Sequence, residues 1–128
     1  MRALLDTHAV IWAAEGDPRL GSSAGELLRT LKAGEAVLSD ITLLEIAMLV
    51  KKGRIELSVS AEEYLRVIQR NYPLLTITSE IASMAVDLDL PQGDPFDRII
   101  VASALHHKLP LLTRDKNISA SGLVRTVW

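Results

Sequence analysis

The sequence predicts an α/β fold, a three-layer α/β/α sandwich around a central and mainly parallel sheet. Short apolar segments alternate along the chain with longer segments in which apolar residues recur at helical spacing. The short segments show little alternation of polar and apolar residues, which is typical of strands covered on both faces. Helices on both sides of a parallel sheet are the arrangement that buries such strands.

Each predicted strand is a short apolar or β-branched run, and capping or helix-breaking residues bound the predicted helices. The strands are predicted at Arg2–Asp6, Ala36–Ser39, Leu74–Ile77 and Pro110–Thr113, with a fifth, at the edge, at Val124–Trp128. The helices are predicted at Thr7–Ala14, Ser23–Lys32, Ile41–Lys52, Ser60–Asn71, Ser79–Leu88 and Phe96–Lys108. Asp40 is expected to cap the third helix, and a loop is expected at Pro91–Pro95.

Composition predicts a single folded domain spanning residues 1–128, because 48% of the residues are hydrophobic and only 23% are charged. The absence of cysteine excludes disulfides, thiolate zinc sites and cysteine nucleophiles. Asp6 interrupts any resemblance to a signal peptide, and no apolar run approaches the roughly 20 residues that span a membrane. We therefore expect a cytoplasmic protein that does not enter a membrane.

Four acidic residues occupy positions where a surface carboxylate is not expected. Asp6 ends an apolar strand, Asp115 follows another, and Asp97 opens the most apolar helix. Glu45 lies in the apolar stripe of its helix, on a face that we expect to point inward and that is shared with Ile41, Leu44, Met48, Leu49 and Lys52. Carboxylates near a core require a partner, and the sequence offers few basic residues at matching positions.

A divalent cation accounts for these acids, because Mg²⁺ and Mn²⁺ prefer oxygen ligands and remove the repulsion between neighbouring carboxylates. In a parallel sheet such a site forms outside the carboxyl ends of the strands, where Asp6 and Asp115 are both expected. Metal ions held by acids serve phosphate chemistry. With a net charge of −2, the chain would bind nucleic acid through a local site and bridging metals. The residues thus predict metal-dependent phosphoryl hydrolysis.

Four segments of the chain resemble the PIN domain, and more narrowly the VapC-type toxins of bacterial and archaeal toxin–antitoxin pairs. These segments are Leu4-Leu-Asp-Thr-His8, Thr42-Leu-Leu-Glu-Ile46, Asp94-Pro-Phe-Asp-Arg-Ile-Ile-Val-Ala-Ser-Ala104 and Leu112-Thr-Arg-Asp115. The resemblance covers essentially the whole chain, in order. It implies an α/β/α sandwich with Mg²⁺- or Mn²⁺-dependent endoribonuclease activity, a cognate antitoxin and a toxin homodimer within a larger complex.

The resemblance also implies roles for individual residues. The family's four acids correspond to Asp6, Glu45, Asp97 and Asp115, which would be both catalytic residues and metal ligands. Asp97 rather than Asp94 corresponds to the third acid, and Asp94 is expected to be an outer, capping residue. Thr7 and Thr113 stand where the family often has a hydroxyl beside the site.

Simpler roles remain open for several of these residues. The role of Asp6 could be limited to capping a helix, Asp97 could pair with Arg98, and Asp115 could be a turn residue. Arg98 and Arg114 could bind RNA phosphates, or they could be exposed arginines that screen the acids. We expect His8 to point away from Asp6, and we expect His106 and His107 to be solvated at a helix end.

Two other functions are compatible with parts of the sequence. A non-catalytic PIN-like module that binds RNA or a protein would not need all four acids. A haloacid-dehalogenase-type phosphatase also begins with a strand followed by aspartate, but it needs a second acid two residues later, where this chain has His8. We therefore favour the endoribonuclease.

Overall fold

A computed structural model of the chain describes residues 1–91 and 94–128. In these residues five strands and seven helices follow one another. The strands are β1 (Ala3–Leu5), β2 (Ala36–Ser39), β3 (Leu74–Leu75), β4 (Leu111–Leu112) and β5 (Thr126–Val127). The helices are α1 (Thr7–Glu15), α2 (Ser22–Thr30), α3 (Ile41–Lys51), α4 (Ala61–Asn71), α5 (Ser79–Asp87), α6 (Pro95–His107) and α7 (Lys116–Ser121).

The strands form one sheet in the order β3-β2-β1-β4-β5, and every neighbouring pair is parallel. The chain first adds β2 and β3 on one side of β1 and then returns to add β4 and β5 on the other side. The strand order therefore reverses between β1 and β4. In open parallel sheets, such a reversal leaves a crevice at the carboxyl ends of the two strands.

Side chains of alternate strand residues enter different layers of the core. Ala3 and Leu5 of β1 pack with buried residues of α1 to α4, whereas Leu4 packs with buried residues of α6 and α7. A smaller cluster joins α5 to α6. Helices thus cover both faces of the sheet, and the predicted three-layer α/β/α sandwich is confirmed.

The sequence did not predict every detail of the elements. The strands after β2 are two residues long, and α7 was not predicted. Asp40 does not cap α3 with its side chain, because its backbone is already helical (φ −62°, ψ −25°). One carboxylate oxygen of Asp40 instead accepts a hydrogen bond from the Ile77 N–H at 3.3 Å. The predicted loop Pro91–Pro95 includes residues 92 and 93, which lie outside the described residues.

The two tryptophans belong to the packing of the molecule. Trp12 is 3% exposed and meets Trp128 edge to face, with ring centroids 5.8 Å apart. A Cβ atom at Gly21 would lie 2.4 Å from the backbone of Trp128, so only glycine permits this close approach of the C-terminus. Within the described residues, no helix combines the length and apolar character that a membrane crossing requires.

Candidate active site

Asp6 and Asp115 meet at the crevice between β1 and β4. The Asp6 N–H donates to the Leu112 carbonyl at 3.0 Å, which joins the carboxyl ends of the two strands. Asp6 caps α1, because its Oδ1 accepts from the Ala9 N–H at 2.8 Å. Asp115 caps α7 in the same way, with Oδ1 accepting from the Asn117 N–H at 2.8 Å and the Ile118 N–H at 3.0 Å.

These caps decide the local alternatives for the two acids. The capping role considered for Asp6 is correct, and Asp115 begins a helix rather than a turn. Both carboxylates bind backbone N–H groups through Oδ1 alone within the described residues. A cap therefore fixes each side chain in place and leaves its second oxygen without a backbone N–H partner in the described residues.

Asp94 and Asp97 enter the same crevice from the start of α6. Asp94 caps this helix, with Oδ1 accepting from the Phe96 N–H at 2.9 Å, as expected for an outer capping residue. Asp97 lies in the first turn and is partly buried. Its position at a helix N-terminus favours a negative charge, which partly offsets the cost of burial.

Glu45 projects from α3 toward α1. The Thr7 hydroxyl, which is buried, donates a hydrogen bond to Glu45 Oε1. The predicted inward face of α3 was wrong, because Leu44 and Met48 are 53% and 36% exposed. Thr42 and Ile46 are buried instead, so Glu45 lies at the margin of the core, beside the crevice.

The fold thus gathers all four predicted acids in one cleft of about 370 Å³. The cleft is lined by Asp6, His8, Glu45, Asp94, Asp97, Arg114, Asp115, Lys116 and Asn117. Each acid comes from a different segment of the chain, so only the folded protein brings them together. Lys116 and Asn117 were missed from the sequence because they belong to α7, whose only sequence signal is the capping Asp115 ahead of Ile118.

Burial and mutual repulsion govern the protonation of these acids. Burial and, to a lesser degree, the neighbouring carboxylates of Asp94, Asp115, Glu45 and Asp6, in that order, together raise the pKa of Asp97 to about 7. Burial also raises the pKa of Asp6, against the lowering effect of the Thr113 hydroxyl and the Ala9 N–H. The pKa of Glu45 is raised by burial as well, and the Thr7 hydroxyl opposes that change.

Within the described residues, no basic side chain forms an ion pair with these acids. The ion pairs found in residues 1–91 and 94–128 join Arg2 to Glu35, Arg19 to Asp17 and Arg66 to Glu62, all away from the cleft. In the same residues, no three carboxylate or histidine side chains are grouped tightly enough to hold an ion without further movement.

Comparison with known proteins identifies the family. The model of the PIN domain matches residues 3–122. The chain is also 31% identical to Ribonuclease VapC22 of Mycobacterium tuberculosis over 128 residues, which cover 98% of this chain and 97% of the relative. This chain belongs to the PIN-domain family. The resemblance found in the sequence, including its VapC-type character, is confirmed.

Solved structures support the same PIN fold. A toxin–antitoxin complex from Klebsiella pneumoniae contains a chain that is 27% identical, with a TM-score of 0.69 and coverage of 95% of this chain and 94% of that chain. VapBC2 from Rickettsia felis, bound to a DNA fragment from its promoter, matches with a TM-score of 0.73 at 18% identity. The match covers 98% of this chain and 97% of that one, and at this identity it shows the fold alone.

Two sequence-based expectations about basic residues of this PIN domain were wrong. His8 does not point away from the acids: it lines the cleft and lowers the pKa of both Asp6 and Glu45. Arg98 does not line the cleft and is only half-exposed, so it is neither placed to bind an RNA phosphate beside the acids nor an exposed arginine that screens them. Its guanidinium donates to three carbonyls at and beyond the end of α5, those of Ala85, Leu88 and Leu90, each at 3.0 Å.

The remaining predicted residues lie beside the acids. Thr113 is 1% exposed, and its hydroxyl accepts from the Asp115 N–H at 3.1 Å, which helps to orient the turn into α7. Arg114 is exposed, lines the cleft and stacks over the ring of Trp12 at 4.4 Å. His106 and His107 end α6, away from this cleft, as expected.

Proposed function

We propose that this chain is a metal-dependent endoribonuclease and the toxin of a toxin–antitoxin pair, formed by a single PIN domain over residues 1–128. The observation that carries the proposal is the convergence of Asp6, Glu45, Asp97 and Asp115 in one cleft at the reversal of the strand order. The relationship to Ribonuclease VapC22 supports RNA as the substrate.

The donor set of the cleft suits Mg²⁺ or Mn²⁺. Its acids offer only oxygen ligands, and their pKa values are raised mainly by burial and further by a mutual repulsion that a cation would remove. When bound, such an ion acidifies a water molecule and stabilises negative charge on a phosphodiester. Asp6, Glu45, Asp97 and Asp115 would hold the ion, directly or through water.

The chain's own residues keep the acids in position for this task. The caps on α1 and α7 fix Asp6 and Asp115 through one oxygen each. Thr7 orients Glu45 by its hydrogen bond. Asp97, with a pKa of about 7, is the acid whose charge depends most on whether a cation is present at neutral pH. Asp97 is therefore the most informative residue to change.

The partners follow from the same relatives. A toxin–antitoxin complex and VapBC2 are among the similar structures, and they support a cognate antitoxin for this chain. We further propose a homodimer within that complex and action in the cytoplasm, where the RNA substrate resides. No described observation favours the non-catalytic module, because an interaction surface has no need of four converging acids.

Cleavage of a total small-RNA pool by the purified, antitoxin-free chain tests the proposal. We expect discrete fragments with Mn²⁺ or Mg²⁺ and none in EDTA. Asp97→Asn should abolish them, whereas the matched control Asp87→Asn, which changes an exposed carboxylate on α5, should not.

Three results would count against it. Equal cleavage by Asp97→Asn and the parent would mean a contaminant or a wrong site. Cleavage that persists in EDTA would refute the metal dependence. Intact RNA under every condition, from folded protein, would favour the binding module.

A further inference from the structure

A second cleft adjoins the acid-lined one and differs from it in charge. It measures about 300 Å³ and is bordered by residues of α1, by the segment following α3 and by Arg114. Its charged members are the three arginines Arg19, Arg54 and Arg114 and the two glutamates Glu15 and Glu56, whereas five carboxylates line the first cleft. His8 and Arg114 line both clefts and therefore stand at the junction between them.

Arg114 is held in place at this junction without being neutralised. Its guanidinium lies 4.4 Å from the centroid of the Trp12 ring, a contact that orients the plane of the fork. Among residues 1–91 and 94–128, no carboxylate lies within ion-pair distance of Arg114, and no acceptor binds its side chain. The five N–H donors of this guanidinium thus remain available to a ligand.

Arg19 provides a contrast on the same ring. Its guanidinium lies 4.9 Å from the Trp12 centroid, but it is bound to Asp17 by hydrogen bonds of 3.1 and 2.8 Å. Arg19 also lines only the second cleft. Of the two arginines that stack on Trp12, therefore, only Arg114 combines free donors with a position beside the acids.

A negatively charged polymer needs such a group here, because the five carboxylates of the acid cleft repel phosphates. Resting on the proposed ribonuclease function, we propose that Arg114 is a substrate-positioning residue that binds the RNA phosphate next to the one that is cleaved. Trp12 is too deeply buried to stack on a base, so its contribution is to orient Arg114. A planar, bidentate fork recognises a phosphate better than a point charge does.

Salt-dependent RNA binding tests this assignment. In an Asp97→Asn background with EDTA, a fluorescein-labelled single-stranded RNA of mixed sequence is titrated at several salt concentrations, and binding is followed by anisotropy. The slope of log Kobs against log salt is negative, and the loss of one phosphate contact makes it less steep by about 0.7. We expect Arg114→Ala to show this change and a loss in affinity of about tenfold or more.

Matched variants separate phosphate binding from a general effect of charge or structure. Arg114→Lys should retain the slope with an intermediate affinity, and Arg19→Ala should leave the slope unchanged. In the otherwise wild-type chain with Mg²⁺, Arg114→Ala should raise KM and leave kcat nearly unchanged. Circular dichroism establishes that each variant is folded.

The outcomes distinguish this inference from the proposed function. Suppose that the wild-type chain cleaves RNA, but that Arg114→Ala in the Asp97→Asn background has the same salt dependence of RNA binding as Asp97→Asn alone. The assignment of Arg114 is then wrong and the proposed ribonuclease activity stands. Equal losses of slope in Arg114→Ala and Arg19→Ala would also overturn it, because they would indicate a diffuse charge effect. A parent that neither binds nor cleaves RNA would refute the proposed function itself.

Discussion

Arg98 and Asp97 are adjacent, partly buried and charged, but in the described part of the chain only Arg98 has its charge satisfied by hydrogen bonds. The guanidinium of Arg98 donates three hydrogen bonds to carbonyls at the end of α5, so its charge is satisfied within the chain. One residue earlier, Asp97 faces other carboxylates and has a pKa raised to about 7. A charge that serves the fold receives its partners from the fold, whereas a charge that serves a ligand is left without them.

Removing the unsatisfied charge of Asp97 should have the largest effect and is the most direct test of this comparison. Asp97→Asn should lower the rate of RNA cleavage by about 10²–10³-fold, because the site loses one of the groups that organise transition-state charge. The same change should leave the free energy of unfolding unchanged or raise it, because one repelling carboxylate is gone. Single-turnover cleavage and urea unfolding measure the two effects. A variant that loses activity only by unfolding would contradict the functional role.

Removing the satisfied charge should have the opposite result. Arg98→Ala leaves three carbonyls at the end of α5 without their donor, and we expect a loss of about 2–4 kcal/mol in the free energy of unfolding. Arg66→Ala is the control: its ion pair with Glu62 is exposed, and its loss should cost less than about 0.5 kcal/mol. Equal costs in urea unfolding would show that Arg98 is not structural.

The pH dependence of stability sharpens the comparison, because the pKa of Asp97 is higher in the folded chain than its usual value of 3.8. The folded state therefore binds more protons, and the stability contributed by protonated Asp97 is lost as the pH rises from about 4 to about 7. Burial and repulsion at Asp6 and Glu45 act in the same direction.

Binding of a cation should restore the stability that the ionisation of Asp97 removes. Above pH 7, Mg²⁺ at 100 times its Kd should stabilise the folded chain by about 2.7 kcal/mol. Thermal unfolding across this pH range, with Mg²⁺ and with EDTA, measures both effects, and Asp97→Asn should flatten the pH dependence. A melting temperature that rises steadily from pH 4 to 7 and does not change when Mg²⁺ is added would be inconsistent with this description of the cleft.

The sequence predicted the parts of the site that depend on strand ends. Asp6 and Asp115 follow apolar strands, and parallel topology alone brings such positions to one edge of the sheet. The orientation of helical side chains was harder to predict. Glu45 was assigned to an inward face with Leu44 and Met48, but α3 packs against α1, α4 and α6 in an orientation that leaves Leu44 and Met48 exposed.

Long-range hydrogen bonding explains the other differences. Arg98 is adjacent to Asp97 in sequence, but its acceptors are carbonyls eight to thirteen residues earlier, which no local pattern reveals. Helix α7 is only six residues long, too short to show a helical period. His8 lines the cleft because α1 begins immediately after Asp6, so that its first turn borders the acids.

The smallest expected effect concerns the hydrogen bond that holds Glu45. Thr7→Val keeps the shape of a buried side chain but removes the donor to Glu45 Oε1, and we expect it to cost about 1 kcal/mol of stability at neutral pH. The hydroxyl lowers the pKa of Glu45, so this contribution should be present when Glu45 is ionised and should be lost as the pH falls through its pKa. Thr42→Val is the matched control, because the buried Thr42 hydroxyl has no partner in the described residues and its removal should be neutral or stabilising. Urea unfolding of both variants at two pH values measures the difference. If Thr7→Val cost no more than Thr42→Val at neutral pH, Thr7 would not be what orients Glu45, and the acid would have to be positioned by its ligand alone.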